Sequence, residues 1–213
     1  MIAGGNHTKI KRVKTITDHV RHDLAARHAG KFQFIALIIN PTNINYHSRE
    51  AAKMFEITLI AMGKLKEKFY LSAAAEYEKR LGGYCRFKLL ELPEYRLPEN
   101  PSPAEITAGL SKEAEAIFAA VPKGAWLCVF TPEGKLLSSE EFAAKLSQVK
   151  NAGKSSACFL IGSSFGIAPA VKEKADFLLS MGKMTFPHHL ARIMVLEQLY
   201  RAEAIQAGSR YHK

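Results

Sequence analysis

The sequence from residue 54 onward predicts an α/β fold with a mainly parallel sheet, and two observations support this prediction. Segments typical of strands and of helices alternate in the order β-α-β-α-β-α-β-α-β-α. The middle strand segments, "AWLCVF" and "SACFLI", are apolar on both faces. Such strands are typical of a parallel sheet that is covered by helices on both sides.

The first half of this region contains two strands and two helices. "FEITLIAM" and "YCRFKLLEL" predict strands, and "KFYLSAAAEYEKRL" between them predicts a helix. Gly82 and Gly83 follow that helix and suit a C-terminal cap. Ser102 and Glu105 form a capping box that begins the next helix, which we expect to end near Val121.

The second half adds three strands and three helices. After "AWLCVF" the residues "TPEGK" predict a turn, and Ser138 with Glu141 forms a second capping box. "SACFLI" is followed by the loop "GSSFGIAP" and by a short helix over 168–175. "FLLSM" predicts the last strand, and a final helix is expected over about 190–207.

Residues 1–53 differ from the rest in charge. They carry nine Lys/Arg against three Asp/Glu, a net charge of +6, whereas residues 54–213 carry 21 against 17, a net charge of +4. One possible basic helix and one short apolar run are too little for an independent core. We therefore interpret 1–53 as a basic N-terminal extension, flexible or translated from an upstream start, and 54–213 as the folded domain.

Several classes of protein do not fit this composition. The three cysteines, Cys85, Cys128 and Cys158, lie inside apolar runs and predict buried, reduced thiols. None is paired with histidines at metal-ligand spacing, so no metal site is expected. No apolar run approaches transmembrane length, which indicates a soluble, cytoplasmic protein without a membrane partner.

Three glycine-bearing loops follow apolar strands: "FTPEGK", "IGSSFG" and "SMGKMTFPHH". Ligands of parallel sheets bind at the carboxyl ends of strands, and glycine lets the backbone approach them closely. "GSSFG" is neither a dinucleotide-binding fingerprint nor a phosphate-binding loop. Pro187 marks a hinge before the final helix. His188 and His189 after it cap that helix, pair with a backbone carbonyl or take part in catalysis.

The final helix is apolar almost all the way round in its first half. Such a helix is buried on several sides, and a homodimer interface is our preferred explanation. Glu197 and Arg201 are spaced i,i+4 and are expected to pair with each other. A charged residue that faces RNA across the dimer interface is the alternative.

Six blocks in this order resemble one family: "ITLIAMGKLKEKF", "EYEKRLG", "PEGKLLSSEEFA", "FLIGSSFG", "KMTFPHHLARIMVLEQLYRA" and the terminal "YHK". The chain is similar to the RlmH-type SPOUT methyltransferases, which methylate N3 of a pseudouridine in bacterial 23S ribosomal RNA. The resemblance covers residues 54–213 and none of 1–53. It implies a SPOUT-type sandwich with a C-terminal trefoil knot and an obligate homodimer that acts on the assembled ribosome.

The resemblance also implies a site for S-adenosyl-L-methionine. The residues expected to bind this cofactor are Phe130, Gly162, Met181, Gly182, Lys183, Met184, Thr185 and Phe186. The family usually has a second glycine after Gly162, where this chain has Ser163. A serine there is expected to crowd the cofactor or to need a different φ.

The catalytic residues implied by the resemblance are His188, Arg192, Tyr211 and His212. His188 would act as the base, Arg192 would anchor a phosphate or base, and Tyr211 and His212 would reach the partner subunit's site. Two alternatives remain open. One is a non-catalytic ribosome-binding or assembly factor on the same scaffold, and the other is a methyltransferase that acts on tRNA.

Overall fold

The computed structural model describes residues 54–211, so the predictions for residues 1–53 and for His212 lie outside it. The strands are β1 (Glu56–Met62), β2 (Arg86–Leu92), β3 (Trp126–Leu136), β4 (Ser156–Ile161) and β5 (Phe177–Ser180). The helices are α1 (Lys68–Leu81), α2 (Pro103–Ala120), α3 (Ser139–Asn151), α4 (Pro169–Glu173) and α5 (His188–Gln206). They follow one another in the predicted order.

The five strands form one parallel sheet in the order β2-β1-β4-β3-β5. Its side chains are buried on both faces, because Ile57 and Leu59 of β1 pack in one core and Ile60 and Met62 in the other. α1, α3 and α5 cover the first face, and α2 and α4 cover the second. The predicted α/β fold with a mainly parallel sheet is confirmed, and the knot stays a prediction.

Strand β3 is longer than the sequence predicts. Instead of turning at "TPEGK", the chain continues as a strand to Leu136 and pairs with β5 on both sides of an irregularity between Phe130 and Lys135. A Cβ atom at Gly134 would lie 2.5 Å from the carbonyl carbon of Leu179. The glycine therefore permits a close approach of two strands, which is a common use of glycine within a sheet.

The three helix ends for which the sequence predicts a cap agree with the structure. Both predicted capping boxes, Ser102 with Glu105 and Ser138 with Glu141, are present with reciprocal hydrogen bonds. Helix α1 ends at Leu81 with Gly82 as its C-cap, as predicted. Gly82 has a φ of −58° and is not left-handed, and its N–H donates to carbonyl oxygens of the last helical turn.

The apolar character of α5 is explained largely within the chain. The helix lies on the sheet between α1 and α3, so that Val195, Leu196 and Leu199 are fully buried. Ile193 and Met194 are partly exposed. The homodimer stays a prediction. Ile193 and Met194 belong to the apolar surface of α5 that would be available for a dimer interface.

The cysteines are buried free thiols, as predicted. Burial raises the pKa of Cys85 and of Cys158 to about 12, and it raises the pKa of Cys128 as well. Between residues 54 and 211, no group of three His, Cys, Asp or Glu side chains could hold a metal ion. No helix of that region is long and apolar enough to cross a membrane.

Candidate functional site

A cleft of about 560 Å³ lies at the carboxyl edge of the sheet. Its walls come from residues 130–133 of β3, from 161–167 after β4, and from 180–188 after β5. Its volume falls in the range of about 300–1,000 Å³ that is typical of small-molecule sites. The three loops singled out in the sequence therefore meet in space.

Seven of the eight predicted cofactor-binding residues line this cleft: Phe130, Gly162, Met181, Gly182, Met184, Thr185 and Phe186. Lys183 is the exception, because it is exposed and does not line the cleft. The seven residues come from strand β3, from the loop after β4 and from the loop after β5. Their convergence is therefore a property of the fold and not of their spacing in the sequence.

Gly162 is required by the loop itself. A Cβ atom at this position would lie 2.4 Å from Ile167 Cγ1 and 2.5 Å from the carbonyl oxygen of Gly166. The loop folds back because the N–H of Gly166 donates to the carbonyl oxygen of Ser163 at 3.0 Å. Gly166 has a φ of +95°, which favours glycine. The atoms that approach Gly162 closely are thus those of Gly166 and Ile167 in the same loop.

Ser163 also lines the cleft, and its hydroxyl is engaged. The hydroxyl donates a hydrogen bond of 2.8 Å to Glu113 Oε2, on helix α2. The structure thus gives Ser163 a contact with α2 that the sequence did not predict.

Glu133 is an acidic residue of the cleft that the sequence analysis missed. Its carboxylate accepts hydrogen bonds from Lys172 and Thr131. The bond from Lys172, followed by that from Thr131, lowers the pKa of Glu133 to about 2. The carboxylate is therefore ionised at any physiological pH. Its position after an apolar strand, at the edge where ligands bind, is the signal that could have identified it.

His188 lines the cleft, and a second missed carboxylate stands behind it. His188 Nε2 lies 3.7 Å from Glu94 Oε1, an oxygen that is buried and accepts no hydrogen bond within residues 54–211. Burial, followed by the charge of His189, lowers the pKa of His188 below 6.5. The ring is therefore neutral near pH 7 and able to accept a proton, and Glu94 would stabilise the resulting imidazolium.

His189 is turned toward helix α1. Its Nδ1 lies 3.9 Å from Glu67 Oε2, and its ring contacts that of His188 at a centroid distance of 4.1 Å. The ring centroid of Tyr70 lies 6.1 Å from that of His189. Unlike His188, His189 does not line the cleft.

Arg192 is fully buried and does not line the cleft. Its guanidinium donates to Glu91 Oε1 at 2.5 Å and to the carbonyl oxygens of Gly63 and Met62 at 2.8 and 3.1 Å. In this arrangement it holds the connection between β1 and α1. Direct contact of Arg192 with a phosphate or base stays a prediction.

Tyr211 packs on helix α5 of its own chain, outside the cleft. Its hydroxyl donates to Glu197 Oε1 at 3.2 Å, and its ring meets that of Tyr200 at 4.7 Å. Arg201 Nε also donates to Glu197 Oε1, at 2.9 Å, so the predicted i,i+4 pair is present. Access of Tyr211 to a partner subunit stays a prediction.

A second groove, of about 510 Å³, adjoins the cleft. Phe130, Ser180 and Met181 line both. The groove continues along the start of α3 and the partly exposed side of α5, including Met194. The cleft and this surface of α5 are therefore contiguous.

The chain has an α/β domain with a ligand-sized cleft at the carboxyl edge of its sheet, and it belongs to the SPOUT methyltransferase family. The family described as "Predicted SPOUT methyltransferase" matches residues 55–212. Among curated relatives, the Ribosomal RNA large subunit methyltransferase H of Carboxydothermus hydrogenoformans is 45% identical over 158 residues. That match covers 74% of this chain and 99% of the relative.

A second curated relative carries the same name. The protein of the same name from Moorella thermoacetica is 40% identical over 160 residues, which covers 75% of this chain and 100% of that protein. Among solved structures, the tRNA (m1G37) methyltransferase of Aquifex aeolicus matches with a TM-score of 0.43 and 13% identity, over 70% of this chain and 69% of that one.

Proposed function

We propose that this protein is an S-adenosylmethionine-dependent methyltransferase that methylates N3 of a pseudouridine in 23S ribosomal RNA, on the assembled ribosome. The observation that carries most weight is the cleft, where residues 130–133 of β3 and the loops after β4 and β5 meet beside the His188–Glu94 pair. The name of the relatives, which match over 158 residues, supports ribosomal RNA as the substrate. The choice of N3 of pseudouridine rests on the family resemblance.

The residues of the cleft fit S-adenosylmethionine. Phe130, Met181 and Phe186 offer apolar walls for the adenine ring and the methionine chain, and the glycine loops offer backbone N–H and C=O groups. The ionised Glu133 complements the positive charge of the sulfonium and of the amino group. When bound, the cofactor supplies an electrophilic methyl group for in-line transfer to a ring nitrogen.

The chain's own contribution to the chemistry is to position the base and to remove a proton. The imino N–H of the target must lose its proton, and the neutral His188 is the group at the cleft that is suited to accept it. Glu94 would then stabilise the charged ring electrostatically. The rigid walls of the cleft hold donor and acceptor in near-attack geometry, which supplies much of the acceleration.

We place the enzyme domain at 54–213, with 1–53 as a basic extension, and we infer a cytoplasmic homodimer with a C-terminal knot. The partly exposed side of α5, with Leu190, Ile193 and Met194, supplies apolar surface for the dimer next to the cleft. Tyr211 and His212 would complete the site across that interface.

The proposal is tested by methyl transfer from labelled S-adenosylmethionine to intact ribosomes, to isolated large subunits and to naked 23S RNA. The product is digested and its nucleosides are identified by mass spectrometry. We expect 3-methylpseudouridine, formed most efficiently on the assembled ribosome. Efficient transfer to naked RNA would contradict the ribosome requirement, and absence of transfer to all three would contradict the proposal.

Calorimetry with S-adenosylmethionine separates an enzyme from a non-catalytic scaffold. We expect about one cofactor bound per cleft. Thr185→Trp adds bulk at an exposed residue of the cleft wall and should weaken binding, whereas Thr107→Trp, exposed on α2, should not. A folded protein that binds no cofactor would favour the scaffold.

A further inference from the structure

Residues 63–69, which connect β1 to the first turn of α1, form a surface that we call the basic loop. Lys64, Lys66 and Lys68 are exposed, and with Glu67 they give the loop a net charge of +2. The side-chain ammonium groups of the three lysines make no hydrogen bond or salt bridge within the described part of the chain, and only that of Lys66 interacts electrostatically with the neighbouring Glu67. Their charges are thus available to a partner.

The backbone of the basic loop is held rigidly. Arg192 donates to the carbonyl oxygen of Gly63 at 2.8 Å, and the N–H of Gly63 donates to the carbonyl oxygen of Leu92 at 2.8 Å. The N–H of Leu65 donates to Glu91 Oε1 at 3.1 Å, and the Leu65 side chain is buried. A buried arginine contributes little net stability, and the best-attested use of such groups is to fix one arrangement of the chain.

The basic loop borders the wall of the cleft that carries His188. The Glu94 carboxyl carbon lies 3.3 Å from the position of a Cβ atom on Gly63, and Glu94 Oε1 lies 3.7 Å from His188 Nε2. A second link runs from Glu67 to His189, at 3.9 Å. A chain bound along this loop would therefore pass next to the candidate base.

An exposed aromatic side chain accompanies the lysines. Phe69 is 64% exposed, although its ring lies only 4.2 Å from that of Tyr70. Exposed aromatic rings among basic residues are typical stacking platforms for single-stranded nucleic acid. Lys183 is exposed between the cleft-lining residues Gly182 and Met184, so a further positive charge lies at the rim of the cleft.

We propose that the basic loop is the docking surface for the RNA strand that carries the target base. Lys64, Lys66 and Lys68 contact its phosphates, and a neighbouring base stacks on Phe69. Arg192 is a positioning residue that holds this loop against the cleft. This inference rests on the proposed function, because it takes ribosomal RNA as the substrate.

The test compares two triple variants of the full chain on ribosomes. The first is Lys64→Gln/Lys66→Gln/Lys68→Gln. The control, Lys79→Gln/Lys88→Gln/Lys123→Gln, removes the same charge from three exposed lysines outside the loop. KM for ribosomes is measured as a function of salt, and the Kd of S-adenosylmethionine is measured by calorimetry. A single variant, Phe69→Ala, is measured in the same way.

We expect the loop variant to raise KM at least tenfold at low salt and to flatten the dependence of log KM on log salt by about 2, since each phosphate contact with a single strand contributes about 0.7. The control variant should keep the wild-type slope. Phe69→Ala should raise KM on the order of tenfold with an unchanged slope, because stacking is not ionic. The Kd of S-adenosylmethionine should stay constant in all variants.

A loop variant that behaves as the control variant would overturn the inference while leaving the proposed function intact. An increase in the Kd of S-adenosylmethionine equal to the increase in KM would also overturn it, because the loop would then act through the cleft. If the wild-type protein neither binds nor methylates ribosomes, the proposed function fails, and this inference fails with it.

Discussion

The hydroxyl of Ser163, in the loop after β4, donates a hydrogen bond of 2.8 Å to Glu113 Oε2 on α2, and Glu113 Oε1 accepts the backbone N–H of Tyr95 at 2.9 Å. The Glu113 side chain is buried, so these bonds form in a medium where an unpaired carboxylate oxygen is costly. One carboxylate therefore ties a wall of the cleft to helix α2 and to the loop that follows β2. Ser163, which we expected to crowd the cofactor or to need a different φ, thus has a structural partner in Glu113.

Ser163→Ala should destabilise the protein by about 1–3 kcal/mol, because it leaves Glu113 Oε2 buried without a donor. The change is measured by urea denaturation of the full chain. Ser111→Ala, which removes an exposed hydroxyl from α2, is the matched control and should cost little.

A second variant tests the same network. The amide of Glu113→Gln can accept from Tyr95 and donate to the Ser163 hydroxyl, so this change should cost less than Ser163→Ala. Equal stability of Ser163→Ala and the wild type would show that the hydrogen bond carries no weight.

Gly162→Ala should destabilise the loop after β4, because its Cβ atom would overlap the carbonyl oxygen of Gly166 and the side chain of Ile167. Overpacking of this kind typically costs about 1–3 kcal/mol. Gly83→Ala is the control, since its Cβ atom would meet only Arg80 O, at 3.4 Å, and its φ is not positive.

Denaturant unfolding measures both changes, and cofactor titration shows whether the cleft is altered. A Gly162→Ala protein with wild-type stability and cofactor affinity would contradict this account of the loop. The same reasoning makes a bulky residue at 162 a poor probe of the cleft, because it would disrupt the fold before it reached a ligand.

The rate of methyl transfer should fall at acidic pH, below the pH at which an ordinary histidine titrates. The pKa of His188 is lowered by burial and by the charge of His189, so the base stays neutral at neutral pH and is protonated only at lower pH. Because the folded form disfavours the proton, His188 also reduces stability as the pH falls below its unfolded pKa. The pH–rate profile under single-turnover conditions measures the effect.

The variant Glu94→Gln tests whether His188 is the group responsible for the acid limb of the pH–rate profile. The charge of Glu94 raises the pKa of His188, so its removal should move the acid limb of the profile to lower pH and should reduce the limiting rate. His188→Asn should remove the limb. A limb that moves to higher pH in Glu94→Gln, or one that persists in His188→Asn, would assign the proton transfer to another group.

The order of strands and helices could be predicted because its signals are local. The capping boxes at Ser102 and Ser138 and the apolar runs of β3 and β4 depend only on neighbouring residues. The extension of β3 to Leu136 could not be predicted. Gly134 is a residue type typical of turns, and its place within a strand depends on the close approach of Leu179 in β5. Tertiary contacts override the local preference there.

The site was predictable where its residues follow strands and unpredictable where distant residues meet. The glycine-bearing loops identify most of the cleft. The partners of Arg192 do not appear in any local pattern, because Glu91 and Gly63 lie more than 100 residues away in the sequence. Glu94 likewise becomes a candidate only when the fold brings it beside His188, whereas Glu133 could have been identified from its position shortly after an apolar run.

The role of Glu133 can be separated from that of its neighbours by comparing two ligands. The carboxylate is ionised, with a pKa of about 2, so at pH 7 it favours a ligand with a positive charge. S-adenosylmethionine carries a sulfonium charge that the product, S-adenosylhomocysteine, lacks. Glu133→Gln should therefore weaken binding of the first roughly five- to tenfold, about 1 kcal/mol, and binding of the second much less.

Calorimetry at two salt concentrations measures both affinities, and Glu173→Gln, an exposed residue of α4, is the control. The difference between the ligands should shrink at high salt, because the interaction is partly exposed to solvent. If Glu133→Gln weakens both ligands equally, the carboxylate acts on a group that they share, such as the ribose or the amino group. An unchanged affinity for both would show that Glu133 serves only to hold Lys172 and Thr131 in place.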